Sequence, residues 1–259
     1  MPGEGLATGS IARAARVLDS LARRPDGASL AEVVGDTAFT RSTAHRVLSA
    51  LAGVDYAFQD PETRAWRLSA RLAALSRLAG FVDVAASARR GMKRLAEATG
   101  DTVFLSVREG AAAVCIAREV GAYPIRTLTL DRGDRRPLGV GAGSLALYAA
   151  LPARTRAAVN RINAAWLAEY GFDARRLEAE VAACAARGYA LNAGGIVPAM
   201  SAVAVPVITR AGRVAAALAI GAINERMGEA RIQAEILPAL RREAAHLAER
   251  LSVREEEAA

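Results

Sequence analysis

Apolar residues recur at helical spacing in three short segments near the start of the chain. In the third, residues 40–51, Ala44, Val47, Leu48 and Leu51 fall on one arc when successive residues are stepped by about 100°. The opposite arc carries short hydroxyls, one imidazole and one guanidinium, and the segment contains no acidic residue. The pattern predicts an amphipathic helix whose apolar side packs and whose donor-rich side stays free.

The neighbouring segments predict a compact domain around this helix. Ser29 and Glu32 can form a capping box at the start of the second helix. Two alternating runs separated by a turn, residues 54–59 and 64–68, follow the third helix and predict a β-hairpin. Three helices followed by a hairpin are typical of a winged helix-turn-helix domain, here over residues 10–68.

The donor-rich arc of the third helix favours double-stranded DNA as a partner. In a winged helix-turn-helix the third helix lies in the major groove, and the hairpin tip reaches the neighbouring backbone. A solvated surface helix would carry similar side chains, so the argument depends on the surrounding domain. We expect base-edge contacts from Ser42, His45, Arg46 and Ser49, and phosphate contacts from Thr40, Arg41, Thr43 and Arg64.

The rest of the chain predicts a linker, a second domain and two tails. Residues 69–81 place leucines on one stripe, which favours a linker helix that pairs with its twin in a dimer. Residues 82–253 have the mixed pattern of an α+β domain with an antiparallel sheet, large enough to hold a small ligand.

Residues 1–9 are expected to be a disordered tail and residues 254–259 a frayed acidic tail. Strands are expected at 102–107, 113–117, 125–130, 202–208 and 214–220, and helices at 82–98, 155–168, 173–187 and 229–251.

Charge and cysteine content change this picture little. The net charge is +7, yet residues 1–80 carry ten arginines against eight acidic residues, so bulk charge alone does not establish DNA binding. Because this charge is modest, an alternative interpretation remains, in which the protein binds a small ligand and acts through partner proteins without binding DNA. Cys115 and Cys184 have neither metal-ligand spacing nor close neighbours, which argues against a zinc site or a disulfide framework. No apolar run of about 18 residues occurs, so no membrane span is expected and the cytoplasm is the predicted location.

An enzyme, such as a hydrolase, is the other class to weigh. The glycines of residues 139–144 are spaced G-x-G-x-G, unlike a dinucleotide-binding loop, and no cofactor is expected. Ser144 does not stand in a nucleophile elbow, and the chain has two histidines, His45 and His246. The sequence therefore favours a non-enzymatic protein.

Five segments together resemble the IclR family of bacterial transcriptional regulators: residues 11–19, 42–48, 136–147, 187–192 and 201–207. The resemblance extends from about Ser10 to Leu251. It implies a winged-helix DNA-binding domain, a linker helix and a GAF-like effector domain. It also implies homodimers that often pair into dimers of dimers, and control of catabolic genes in response to small organic or aromatic acids. Whether the effector releases repression or promotes activation is left open.

The resemblance also implies an effector pocket. A carboxylate can be held by the backbone amides of the glycine-rich turn at the start of a helix, without any charged side chain. Asn192 stands where an Asp is common in the family. Ala202, Ala219 and Gly221 stand where better-studied relatives have Cys or Ser. The loss of those hydrogen-bonding groups favours a larger or more apolar acid over glyoxylate. The implied pocket consists of Leu128, Leu130, Gly141, Ala142, Gly143, Ser144, Asn192, Met200, Ala202, Ala219 and Gly221.

Overall fold

The computed structural model describes residues 9–78 and 84–257. The chain divides into two compact units, residues 1–82 and residues 83–259. Most of the expected N-terminal tail, and the last three residues of the expected linker helix over 69–81, lie outside the described residues. Within the described residues, no helix has both the length and the apolar character needed to cross a bilayer.

The first unit is a winged helix-turn-helix followed by one further helix. Its capping box forms as expected, because Ser29 Oγ accepts from Glu32 N at 3.3 Å and Glu32 Oε2 accepts from Ser29 N at 2.7 Å. Ala28 pairs with Trp66 as a single bridge beside the hairpin. The elements are α1 (Ser10–Ala22), α2 (Leu30–Thr37), α3 (Arg41–Gly53), β1 (Ala57–Gln59), β2 (Trp66–Leu68) and α4 (Ala70–Leu78).

An acidic side chain fixes α2 against α1. Asp36 accepts a hydrogen bond from Ser20 Oγ at 2.7 Å and pairs with the guanidinium of Arg24. These two partners, the arginine first, lower the pKa of Asp36 to about 2. The turn into α3 then passes through Ala38 with φ of 54°. The apolar arc of α3 is buried against this frame, as its spacing predicts: Val17, Leu21, Val33, Ala44, Val47, Leu48, Leu51 and Trp66 form one core.

The second unit is built on a six-stranded antiparallel sheet with strand order β5-β4-β3-β8-β7-β6. The two longest strands, β7 and β8, are buried along most of their length. Helices cover the sheet, so an almost continuous apolar run is the pattern these strands need. The elements are α5 (Val84–Thr99), β3 (Thr102–Glu109), β4 (Ala112–Glu119), β5 (Arg135–Pro137), α6 (Ala142–Ala149), α7 (Ala153–Glu169), α8 (Ala174–Arg187), β6 (Ala190–Ala193), β7 (Met200–Ile208), β8 (Val214–Ile223), α9 (Glu229–Arg231), a π-helical turn (Ile232–Ile236) and α10 (Leu237–Glu257).

The two faces of the sheet carry side chains of different size. Successive side chains of a strand point to opposite faces, and Leu105, Leu218 and Ile220 lie on the face that α5 and α10 cover. The face toward α6 carries smaller groups, among them Ala217 and Ala219, which pack in one cluster with α6, α7 and α8. Small side chains beneath a short helix leave space, and a cavity lies there.

Three local expectations differ from the structure. Residues 125–130 form no strand, whereas Arg135–Pro137, expected as loop, pairs with β4 as strand β5. The expected acidic tail at 254–259 is helical as far as Glu257, since Glu255 pairs with Arg213 of the β7–β8 hairpin. The ion pair supplies a fixed partner that sequence periodicity alone does not reveal.

Candidate DNA-binding and ligand-binding sites

Arg41 and Arg46, the two cations on the exposed side of α3, form no ion pair within the described residues. Ser42, His45, Arg46 and Ser49 are all exposed, and His45 also meets Trp66 edge to face, with 6.3 Å between ring centroids. No carboxylate in the described part of the chain lies within 4.0 Å of the Arg46 guanidinium. The arrangement leaves donors pointing outward from a rigid, packed helix.

The start of α3 is fixed by two threonines. Thr40 Oγ1 accepts from Thr43 N at 3.3 Å and donates to Thr43 Oγ1 at 2.9 Å. The cap occupies the Thr40 hydroxyl and leaves the proton of the Thr43 hydroxyl for an external acceptor. Arg41, the first residue of the helix, is exposed beside this cap. The cap therefore positions the first turn, where helix N-termini favour phosphate oxygens.

The wing places Arg64 at its tip. Arg64 has φ of 60°, and its carbonyl accepts from Gln59 Nε2 at 2.9 Å. Asp60 Oδ1 closes the turn by accepting from Thr63 N at 2.8 Å. The exposed Arg64 guanidinium is therefore presented by an ordered turn, although the acidic Glu62 stands close to it in that turn.

A cavity in the second unit lies between the small-residue face of the sheet and the start of α6. Its volume is about 50 Å³. Phe104 and Ser106 of β3 form part of its floor, and Ile196 and Val197 form one wall. Ten of the eleven residues that the family resemblance implies line this cavity: Leu130, Gly141, Ala142, Gly143, Ser144, Asn192, Met200, Ala202, Ala219 and Gly221.

Leu128, the eleventh, does not line the cavity. Its side chain is 54% exposed, and its neighbours Thr127 and Thr129 face the cavity instead. The expectation for Leu128 was therefore wrong, because residues 125–130 lack the strand geometry that would have given it the same orientation as Leu130.

Sequence reasoning missed two charged residues of the lining, Asp134 and Arg136. Asp134 Oδ2 accepts from Asp131 N at 2.7 Å, whereas Arg136 supplies the positive charge. Arg136 Nη2 donates to Thr129 O at 2.8 Å, and no carboxylate in the described residues lies within 4.0 Å of it. Burial lowers the pKa of Arg136 from its usual value, while Tyr170 and Asp134 act in the opposite direction. An arginine remains protonated at neutral pH even so. The cavity therefore contains a partly desolvated positive charge with donors to spare.

Gly141 brings the start of α6 close to this guanidinium. Its φ is 89°, and a Cβ at this position would lie 3.1 Å from Arg136 Nη1 and 3.2 Å from Ile196 Cδ1. No side chain caps α6, so the amides of its first turn have no side-chain acceptor. Ser144 does not point its hydroxyl at a ligand, because Oγ accepts from Gly139 N at 2.9 Å and donates to Pro137 O at 3.2 Å. Arg136 and the α6 amides together form a carboxylate-sized donor set.

Cys115, which lines this cavity, is not an activated nucleophile. Burial raises the pKa of the Cys115 thiol to about 11, so the sulfur is a protonated, weak nucleophile. Across residues 9–78 and 84–257, no group of three His, Cys, Asp or Glu side chains is placed to hold a metal ion.

Two family models match the chain. The first, described as the bacterial transcriptional regulator IclR C-terminal domain, matches residues 76–249. The second, described as the IclR helix-turn-helix domain, matches residues 10–61. Together they cover both compact units.

Curated proteins and solved structures agree with these matches. The HTH-type transcriptional regulator BhcR of Paracoccus denitrificans is 29% identical over 228 residues, which covers 86% of this chain and 80% of that protein. The crystal structure of IclR from Thermotoga maritima superposes with a TM-score of 0.67 at 19% identity, over 94% of this chain and 98% of that one. An IclR homologue from Microbacterium hydrocarbonoxydans, crystallised with 4-hydroxybenzoate, gives a TM-score of 0.66 at 21% identity, over 93% and 98%. These two structural likenesses show a shared fold.

Proposed function

We propose, from the premise that this chain belongs to the IclR family of bacterial transcriptional regulators, that it switches a catabolic operon in response to a small organic acid. The family makes it a DNA-binding regulator and not an enzyme. The proposal adds which residues contact DNA and what kind of effector the cavity takes. The observation that carries it is the unpaired Arg136 guanidinium beside the uncapped start of α6.

DNA recognition is assigned to the exposed side of α3. Ser42, His45, Arg46 and Ser49 are proposed to reach base edges in the major groove, because their side chains leave the helix opposite its buried arc. Phosphate contacts are assigned to Arg41, Thr43 and Arg64. Thr40, also expected to contact phosphate, has its hydroxyl occupied by the cap and is assigned the positioning of this first turn. Two copies in a homodimer would present two such helices to half-sites roughly 34 Å apart, or a multiple of that distance. A dimer of dimers would bind two such sites.

A paired substitution tests this assignment. Arg46→Ala should weaken binding to the operator by about 1–3 kcal/mol and reduce discrimination against a scrambled sequence. Arg64→Ala should weaken binding to both DNAs alike and reduce the salt dependence by about one unit of slope. Fluorescence anisotropy with the intergenic DNA upstream of the gene measures both effects. Equal, sequence-independent losses from the two variants would show that the two roles are assigned wrongly.

The effector is proposed to be a monocarboxylic acid with an apolar or aromatic body. Arg136 and the α6 amides supply donors for one carboxylate. Phe104, Val140 and Ile196 offer apolar contacts to the remainder. The volume of about 50 Å³ holds only a few water molecules on a scale where one needs about 10–15 Å³. An aromatic acid therefore has to displace the partly exposed wall formed by Ile196 and Val197.

Calorimetric titration with a panel of aliphatic and aromatic acids identifies the effector class. We include 4-hydroxybenzoate because a structural neighbour was crystallised with it. The proposal expects an acid with an apolar body to bind more tightly than glyoxylate. Selective, tight binding of glyoxylate would contradict the proposed size and polarity of the effector.

Regulation requires that the effector bind two arrangements of the dimer with different affinities, since equal affinity shifts no equilibrium. We propose that α4, the described part of the expected linker helix, transmits the difference. The measurable consequence is a change in operator affinity when the best acid of the panel is added at saturating concentration. The direction of that change distinguishes a repressor that is released from an activator that is recruited.

A further inference from the structure

A second cavity lies on the other side of the Gly141 turn. Its volume is about 160 Å³, against about 50 Å³ for the first, and Gly141 and Asn192 line both. The second cavity is bounded by α8, by the start of α6 and by β6. Three charged residues of α8 line it, namely Arg176, Glu180 and Arg187. At about 100° per residue these three fall within about 40° of one another on the helix, so α8 presents them as one stripe.

Arg187 has hydrogen-bonding capacity that the protein does not use. Its Nε and Nη2 atoms are buried and have no hydrogen-bond partner in the described residues, although the guanidinium lies near the Cys184 thiol, where it opposes the rise in the pKa of that thiol caused by burial. The guanidinium carbon lies 5.7 Å from the centroid of the Tyr189 ring, and no carboxylate lies within 4.0 Å. A buried donor without a partner destabilises the folded protein, and more so when it is charged. Such a group is satisfied by an ordered water molecule or by a bound anion, and its positive charge favours the anion.

Arg176 is held rigidly at the other end of the stripe. Its guanidinium stacks on the Phe172 ring with 3.9 Å to the centroid, and Nη1 donates to Gly171 O at 2.9 Å. Nη2 lies 3.9 Å from where a Cβ on Gly195 would stand, so the absence of a side chain there keeps the approach open. Like Arg187, Arg176 makes no ion pair within the described part of the chain.

Glu180 is the carboxylate that opposes these two cations in the lining. With one negative and two positive groups, the stripe retains a net charge of about +1. Glu180 has no ion-pair partner within 4.0 Å in the described residues, so it does not neutralise either guanidinium by direct contact. The cavity is therefore electropositive, roomy and provided with planar donors that match oxygen pairs.

We infer that this second cavity binds a small oxoanion, a carboxylate or a phosphate, at the Arg187 guanidinium, with Arg176 contributing positive charge from the other end of the cavity. The site is separate from the one built on Arg136, which lines only the first cavity. The inference does not depend on the first cavity binding an effector, because its own arginines supply the donors. An anion in the second cavity would lie against Gly141 and Asn192, which also line the first cavity.

Direct titration of the full-length protein tests the inference with two probes. Inorganic phosphate is followed by ³¹P NMR and succinate by calorimetry, which distinguishes a phosphate-type ligand from a carboxylate. We expect at least one probe to bind, and Arg187→Gln to weaken that binding tenfold or more, as loss of about 1.4 kcal/mol or more implies. Arg175→Gln, an exposed neighbour on α8, is the matched control and should change it less than about twofold.

A second variant, expected to bind more tightly, keeps the test valid if Arg187→Gln fails to fold. Glu180→Gln removes the opposing carboxylate and keeps the side-chain size, so the same probe should bind several-fold more tightly. The inference is overturned if neither probe binds the wild-type protein below about 10 mM, a free energy of about 2.7 kcal/mol. It is equally overturned if Arg187→Gln and Glu180→Gln leave binding unchanged, or if Arg136→Gln abolishes it, because the anion would then lie in the first cavity.

Discussion

Arg136 is the residue whose loss should affect effector binding most. Arg136→Gln removes the charge and keeps one amide that can still donate to Thr129 O. A hydrogen bond to a charged group contributes about 1.5–3 kcal/mol. With a carboxylate as the acceptor, that loss corresponds to roughly 10- to 150-fold weaker binding of the acid. The guanidinium is already partly desolvated in the free protein. The cost of burying it when the acid binds therefore offsets only a small part of the free energy of the new hydrogen bonds.

Comparing the best acid of the panel with its carboxamide isolates the contribution of charge. The wild-type protein should prefer the acid by roughly 10- to 150-fold, and Arg136→Gln should lose most of this preference because the amide is neutral. Calorimetry gives all four dissociation constants at one pH and one salt concentration. The difference between the acid-over-carboxamide preference of the wild-type protein and that of Arg136→Gln then gives the interaction free energy between Arg136 and the carboxylate.

Arg135→Gln is the matched control. Arg135 precedes Arg136 on strand β5, yet its guanidinium points away and pairs with Glu109 at 2.5 Å. Both variants remove one positive charge, so a general electrostatic effect would weaken binding similarly in the two. The reasoning is refuted if Arg136→Gln binds the acid within about twofold of wild type, or if both variants lose the same amount.

Three further predictions concern stability. The pKa of Asp36 is lowered to about 2 from the usual 3.8, so its contribution to folding stability is complete above about pH 4 and is lost as the pH falls toward 2. Asp36→Asn should therefore lower the melting temperature at pH 7, and the difference in melting temperature between variant and wild type should shrink between pH 4 and pH 2. Leu48→Ala, at a fully buried position of α3, should destabilise the first unit by about 2–5 kcal/mol in urea unfolding, whereas Ser49→Ala on the exposed side should change it by less than about 0.5 kcal/mol. Asp101 is buried between Arg226 and Arg231, each 2.8 Å from it, so Asp101→Ala should destabilise the second unit by about 3–5 kcal/mol, and an unchanged unfolding transition would contradict this.

The winged helix-turn-helix could be predicted because its signals are local. The buried arc of α3 and the Ser29–Glu32 capping box both depend on residues within one or two helical turns of each other. Those signals appear directly in the sequence, and the structure has both elements at the expected places. The position of the glycine-rich turn at the start of α6 followed in the same way, from glycines that precede an apolar helix.

Arg136 was missed because its role depends on long-range pairing. In sequence it stands in a charged stretch that resembles a loop, and the pairing of β5 with β4 turns its side chain toward the cavity. The Arg176–Arg187 stripe, in contrast, carries a local signal, since the spacing of those residues on a predicted helix places them on one side. What the spacing could not supply is the cavity beside the stripe, which depends on β6 and the Gly141 turn.

Anisotropy titration of the upstream intergenic DNA, with and without the best-binding acid, tests the central claim most directly. The wild-type protein should bind this DNA more tightly than a scrambled sequence, and the acid should change the operator affinity. Arg46→Ala should lose the discrimination between sequences, and Arg136→Gln should keep the DNA binding but lose the response to the acid. Arg89→Ala, an exposed arginine of α5 with no ion pair in the described residues, controls for net charge and should retain both properties. An Arg46→Ala protein that still discriminates as wild type does, or an Arg136→Gln protein that still responds fully to the acid, would contradict the assignment of these two sites.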